Sequence, residues 1–446
     1  MRMKADGDMQ GTDDFSKTQT TVLKRDPVRT VVLASMIGTA IEFFDFYAYG
    51  TAAAAYFPKV FFPEVTPAIA TILSLLTFGV AFVARPLGSF IFGHFGDKIG
   101  RKRTLVVSLL LMGCSTVLIG VLPSYRTLGL AAVLLLCLCR FVQGIGLGGE
   151  WSGAALVATE NAPKKKRALY GAFPELGAPL GFFLSNGLFF ILESFLSPAQ
   201  MISFGWRVPF LASALLVLVG FWVREKMQET PLFRLAQQKN QVTKSPLKTV
   251  FKTSWRQIIQ GTFIVSVTYT LFYTLATWSL TYATTNLGFS NREYLSLLMG
   301  AIIVFAVMIL VASYYADIWG RRRILMVSSA ALVVFSLLFP FLLQGQHNVA
   351  GVITFLVVGF ILMGVSFGPV GAVLPELFST KVRYSGAGIS YNVAAIVGAA
   401  FAPTIATWLA DNWGVRSVGI YLGIMAVACL ISLATTKETK TVDFTK

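Results

Sequence analysis

Asp97-Lys-Ile-Gly-Arg-Lys-Arg103 and Asp317-Ile-Trp-Gly-Arg-Arg-Arg323 are two copies of one charged hairpin, each wedged between long apolar runs. They stand 220 residues apart, about half of a 446-residue chain. One such hairpin is an ordinary loop between two membrane helices. The same hairpin at the same place in both halves implies a duplicated bundle. Many secondary carriers are built in this way, with a site between two halves that rock against each other.

Composition puts the chain in a bilayer. The apolar fraction is 55% and the charged fraction 13%, more apolar surface than a water-soluble fold can hide. The net charge of +16 does not point to nucleic acid, because the basic residues sit in short clusters between apolar runs, as orientation signals do. His94 and His347 are the two histidines; both are expected in loops, so neither a metal site nor a cofactor is expected. Cys114, Cys137, Cys139 and Cys429 fall inside apolar spans and are expected to be reduced.

Runs of about 20 apolar residues can cross a bilayer as helices. Twelve are expected, near 30–57, 68–92, 104–122, 128–159, 168–193 and 206–224, then 256–285, 294–316, 324–343, 349–377, 384–410 and 415–436. The predicted fold is therefore an all-α membrane protein with two pseudo-symmetric six-helix bundles, 30–224 and 256–436. A polar tail (1–29) without a signal-peptide core, a polar central loop (225–255) and a tail (437–446) complete the chain. The outer loops hold five Lys or Arg residues (Lys59, Arg126, Arg207, Arg292 and Arg416) and the inner loops many more. By that asymmetry both ends are cytosolic. Glu160 is followed seven residues later by Arg167, and Glu376 by Arg383. Asp97, Arg101, Asp317 and Arg321 are expected to join these four in a charge lattice that closes the cytosolic side.

Ionisable groups at membrane depth are costly and normally face a cavity or a partner. The first half places six there: Glu42 and Asp45 in the first span, Arg85 in the second, Arg140 and Glu150 in the fourth, Glu175 in the fifth. At 1.5 Å per residue, Asp45 lies roughly 22 Å from the inner end of its span and Arg140 about 18 Å from the outer end of its own, so both fall near the midplane. Glu42 and Asp45 share one helical face. Two readings compete. In one, Arg85 and Glu150 are a buried pair that locks neighbouring helices. In the other, Asp45 and Arg140 are a proton switch: protonation of the carboxylate frees the arginine for an anionic substrate. The glycines at 144, 146, 148 and 149 suit close helix packing; with no preceding strand they are not a phosphate loop. In the second half Thr270, Tyr273, Thr274, Thr277 and Thr281 repeat along one helical face. That stripe either bonds neighbouring helices or lines the cavity, with Tyr391 and Asn392 as secondary candidates.

Gly93-x-x-x-Asp97-Lys98-x-Gly100-Arg101-Lys102-Arg103 resembles the signature loop of the major facilitator superfamily; the second copy departs from it with Ser313 in place of the first glycine. Gly38-Thr-Ala-Ile-Glu42-Phe-Phe-Asp45-Phe46, Arg140-Phe-Val-Gln143-Gly-Ile-Gly-Leu-Gly-Gly-Glu150, Gly205-Trp-Arg-Val-Pro-Phe210 and Glu229-Thr-Pro-Leu-Phe233 are similar to the metabolite:proton symporter family within it, near its shikimate carriers. The resemblance runs from about residue 30 to 436. It implies proton-coupled uptake of small carboxylates or zwitterions across a bacterial inner membrane by a protein that works as a monomer. Proton-coupled sugar carriers of the superfamily look similar at Asp45 and Arg140. On this basis Asp45, with Glu42 as rival, is the proton site, and Arg140, Arg85, Gln143, Glu150, Glu175, Tyr273, Thr277, Tyr391 and Asn392 are substrate-site candidates. Gly93, Asp97, Gly100, Arg101, Glu160, Arg167, Asp317, Arg321, Glu376 and Arg383 make the cytosolic gate.

Other classes fit less well. A membrane enzyme needs a nucleophile with a base, or a metal cluster, at membrane depth, and a channel does not need duplicated gate charges. A drug or metabolite exporter is the serious alternative, yet Gly177-Ala-Pro-Leu-Gly181 interrupts the Gly-Pro-x-x-Gly-Gly run that exporters of the superfamily carry. A carrier of zwitterionic osmolytes such as proline or betaine is the third possibility.

Overall fold

The computed structural model describes residues 28–99, 101–160, 162–226, 246–379 and 382–442, and their regular secondary structure is helical. The spans are α1 (Val28–Ala55), α2 (Pro67–Ile99), α3 (Arg101–Val121), α4 (Leu130–Leu147, continuing as Glu150–Glu160), α5 (Arg167–Phe195) and α6 (Arg207–Lys226). The second set is α7 (Trp255–Tyr273, running on to Asn286), α8 (Asn291–Trp319), α9 (Arg321–Leu342), α10 (Val349–Phe367 and Val370–Glu376), α11 (Arg383–Ala395, running on to Trp413) and α12 (Val415–Thr435). Nine of these are long and apolar enough to cross a bilayer. With Pro198–Gly205, α6 makes a tenth, bent by 46°, and α1 and α3 complete the expected twelve.

Packing repeats with an offset of six helices. α1 lies on α5, α2 on α4 and α3 on α6; α7 lies on α11, α8 on α10 and α9 on α12. The contacts between the sets follow the same rule, with α5 against α8 and α2 against α11. Large apolar side chains such as Leu134, Leu138, Leu215, Leu218, Val334, Leu337, Ile420 and Ile424 stay exposed around the outside, where lipid tails solvate them.

The spans are less regular than their apolar runs suggest. α7 widens into a π-turn at Thr274–Trp278 and α11 does so at Ile396–Ala400, and α10 breaks just before Val370, where Pro369 supplies no backbone N–H. Each π-turn inserts a residue and rotates the helical face that follows. Thr277 and Thr281 are therefore not in simple register with Thr270 and Tyr273, although all four are buried. His94, expected in a loop, lies within α2, whereas His347 sits between α9 and α10.

Two glycines of α4 decide where the charges lie. A Cβ on Gly144 would come within 2.1 Å of the Ala81 carbonyl oxygen, and one on Gly148 within 2.1 Å of that of Arg85. Only glycine permits that approach of two helix backbones. It holds Arg140, one turn before Gly144, hard against α2.

Candidate functional site

All six charged residues expected at membrane depth are buried, with exposures of 0 to 2%. They do not pair as their depths suggest. Arg85 on α2 reaches Glu42 on α1, Nη2 to Oε1, at 2.7 Å. The expected partner was Glu150, which helical rise puts nearer the depth of Arg85. The Arg85 guanidinium also lies 5.3 Å from the ring centre of Phe46, 5.7 Å from Tyr391 and 5.9 Å from Phe82. Its charge is matched by a carboxylate and screened by rings.

Arg140 is different. One Nη1 hydrogen goes to Gln143 Oε1, Nη2 donates to the Phe78 carbonyl at 3.0 Å, and the guanidinium stacks 3.8 Å over Tyr49. Its Nε has no acceptor. No carboxylate lies within ion-pair distance of it among the described residues. Asp45 does not touch it. Asp45 Oδ2 accepts from Thr116 Oγ1 on α3 at 2.8 Å, and Thr116 Oγ1 in turn accepts from Gln143 Nε2 at 2.7 Å. Three hydrogen bonds thus connect the carboxylate to the arginine, and Gln143 is a link between them.

Above this layer, Trp151 Nε1 donates to Glu175 Oε1 at 3.2 Å, and the indole stacks on Tyr391 with centroids 3.8 Å apart and planes 3° from parallel. Tyr273 packs edge-on to Phe78 and Phe82 of α2 at 5.0 and 5.7 Å. Thr277 faces Gly50 of α1. The α7 stripe therefore points at the first half, but Thr270 and Thr274 donate to carbonyls one turn back, at 3.0 and 2.7 Å. Asn392 Nδ2 lies 2.9 Å from the Gly148 carbonyl and 2.6 Å from Ser89 Oγ. It bridges the halves in this state.

One closure bounds the layer. On the face that carries the C-terminal tail, Arg321 Nη2 is 3.0 Å from Asp317 and 3.3 Å from Glu376. Asp317 accepts the first-half N–H groups of Ala168 and Leu169 at 3.1 and 3.0 Å, a carboxylate placed on the positive end of α5. Arg383 donates to the Pro375 carbonyl at 3.2 Å and feels the charges of Glu160, Arg167 and Glu376. Gly100 lies outside the described residues, as do the side chains of Asp97 and Arg101, while Gly93 lies within α2. The tail joins this closure. Glu438 accepts the N–H groups of Arg321 and Arg322, Thr439 donates to Glu376 at 2.6 Å, and Arg167 donates to the Val442 carbonyl at 2.7 Å. At the opposite ends of the helices lies a cavity of about 980 Å³ between Ala54, Lys59, Arg126 and Arg207 of the first half and Thr284, Thr285 and Asn291 of the second.

Sequence reasoning missed Thr116, Trp151 and the tail. The Ser115-Thr116 pair in an apolar run level with Asp45 was the available signal for the first. Nothing in the order of residues brings the tail to Glu376.

The comparisons agree with this geometry. A model of the family described as sugar (and other) transporter matches residues 30–446. The inner membrane metabolite transport protein YhjE of Escherichia coli K12 is 54% identical over 415 residues, 92% of this chain and 94% of that protein. The shikimate transporter of the same organism is 37% identical, over 91% of this chain and 93% of its own length. Among solved structures, the proton:xylose symporter bound to 6-bromo-6-deoxy-D-glucose superposes with a TM-score of 0.76 at 19% identity, covering 94% of this chain and 97% of that one; this shows the fold alone. Twelve helices in two repeated sets, a buried charge layer above one closure and these matches make the chain a multi-pass membrane transporter of metabolites, a member of the sugar (and other) transporter family.

Proposed function

We propose that this carrier takes up a small organic acid together with protons by alternating access, from the outer face to a cytosol that holds both termini, across a bacterial inner membrane. One observation carries the substrate class. Arg140 is fully buried, has no carboxylate partner among the described residues, and leaves its Nε without an acceptor. A buried guanidinium without a counter-ion is expensive, and a carboxylate ligand completes it with two parallel hydrogen bonds. Arg85 has its carboxylate already, so it holds α1 to α2. Glu42 is engaged there, which leaves Asp45, bonded by a hydroxyl alone, as the proton site. The tail-face closure is then the cytosolic gate, and the opposite cavity is the route in.

A zwitterionic substrate is favoured by one further feature. Glu175 is buried and its Oε2 has no hydrogen-bond partner, so it offers a carboxylate to the cationic end of such a substrate. Thermal unfolding of the purified protein against small carboxylates, betaines and lipophilic cations separates these cases, since a ligand that binds only the native state raises its stability. Stabilisation by carboxylates that is absent in Arg140→Lys is the expected result. Stabilisation by the cations alone would defeat the organic-acid assignment and favour export of cationic compounds.

A further inference from the structure

We propose that Thr116 is the positioning residue that couples the protonation of Asp45 to Arg140, through a hydroxyl that turns between two acceptors. The proposal rests on Asp45 as the proton site. Thr116 Oγ1 lies 2.8 Å from Asp45 Oδ2 and 3.1 Å from the Met112 carbonyl one turn back, and it accepts from Gln143 Nε2 at 2.7 Å. It is also the one hydrogen-bond donor that reaches Asp45 among the described residues, since Oδ1 has none.

A hydroxyl has one donor hydrogen and two acceptor lone pairs. With Asp45 ionised, Thr116 donates to Oδ2 and accepts from Gln143. With Asp45 protonated at Oδ2, the carboxyl donates to Thr116, whose own hydrogen turns to the Met112 carbonyl while Gln143 still donates to it. Both charge states are satisfied by rotating one O–H bond, with no heavy atom displaced. An apolar side chain here would leave Asp45 without any donor and Gln143 Nε2 without its acceptor, in a layer where an unpaired polar group is costly.

The chain continues to the substrate site. Gln143 Oε1 accepts from Arg140 Nη1, so its amide has one end on the hydroxyl and the other on the guanidinium. A gained proton lowers the pull of Asp45 on Thr116 and, through the polarised amide, loosens the hold on Arg140. The other charges that act on Asp45 are Arg140 and Glu150 from α4 and Glu42 from its own helix. Arg85 on α2 matches Glu42, and α5 adds Glu175, bonded to Trp151. None of these reaches Asp45 with a hydrogen bond; Thr116 does.

The test needs no substrate other than the proton. Infrared difference spectra between acid and alkaline pH are recorded on the full-length protein in liposomes, for wild type, Asp45→Asn, Thr116→Val and Thr116→Ser. The band of Asp45 is the protonated-carboxyl stretch that Asp45→Asn removes. In Thr116→Val its midpoint is expected to move by about one pH unit or more, a tenfold change in proton affinity, while Thr116→Ser stays within about 0.3. Thr116→Ala serves as a second hydroxyl-free variant should valine not fold. An unmoved midpoint in the hydroxyl-free variants, or a serine shift as large as theirs, overturns the relay while Asp45 keeps its role. If Asp45→Asn removes no band, Asp45 is not the proton site, and the coupling assigned above fails together with the relay.

Discussion

At membrane depth the two halves of this carrier are built from different chemistry. The first half buries Glu42, Asp45, Arg85, Arg140, Glu150 and Glu175. The second half meets them with the rings of Tyr273 and Tyr391, the amide of Asn392 and a run of threonines whose hydroxyls turn back on their own helix. At the tail face the roles reverse, because Asp317 and Glu376 come from the second half and the α5 N-terminus from the first. Charge is thus concentrated in one half at membrane depth, and divided between the halves at the tail-face contact.

Variants can break this division, taken from the largest expected effect down. Asp45→Asn should abolish pH-driven accumulation of the substrate found in the ligand screen, yet still exchange labelled for unlabelled substrate, because an amide mimics a permanently neutral carboxyl and lets the loaded carrier reorient. Accumulation that survives in Asp45→Asn and fails in Glu42→Gln would move the proton to Glu42. Arg140→Lys should cut uptake by about 100-fold with the protein still folded, since an ammonium cannot form two parallel bonds to a carboxylate. Normal transport by the lysine variant would make Arg140 a structural residue.

Glu42→Gln removes one partner of a buried pair, and a loss of about 3–5 kcal/mol in unfolding free energy is expected. Thermal unfolding reads this directly, and an unchanged melting temperature would mean that Arg85 is held by its rings instead. Asp317→Asn weakens a contact that exists only while the tail face is closed, and it should shift the closed–open equilibrium by about 1–2 kcal/mol toward opening. Spin-label distances across that face should lengthen while the ligand profile is unchanged; a changed profile would place Asp317 in the binding site. Thr274→Val should cost less than about 0.5 kcal/mol, because its hydroxyl bonds a carbonyl that already accepts within the helix. A large loss of uptake in this variant would show that the second half contributes polar contacts to substrate after all.

The spans and their duplication were legible because a bilayer demands about 20 apolar residues per crossing, and the hairpins at Asp97 and Asp317 marked equivalent places. The six buried charges were legible for the same reason, since each interrupts an apolar run. Their partners were not. Helical rise puts Glu150 nearer the depth of Arg85 than Glu42, and only the packing of α1 against α2 brings Glu42 to 2.7 Å. The α7 stripe was readable as a face, but the π-turn at Thr274–Trp278 altered its register. Periodicity cannot announce such a turn, because the inserted residue looks like any other.

From the order of residues alone came the solvent, the twelve crossings, the internal repeat and the identity of the groups that must be costly to bury. These follow from composition and periodicity, which are properties of a chain read one element at a time. The tertiary structure alone decided that Arg85 is neutralised and Arg140 is not, that Thr116 and Gln143 lie between Asp45 and Arg140, and that the tail closes onto Glu376. Each of these depends on the relative rotation and approach of two or more helices. Gly144 and Gly148, where a Cβ would meet the facing backbone at 2.1 Å, permit that approach, and hydrogen-bond geometry depends on it.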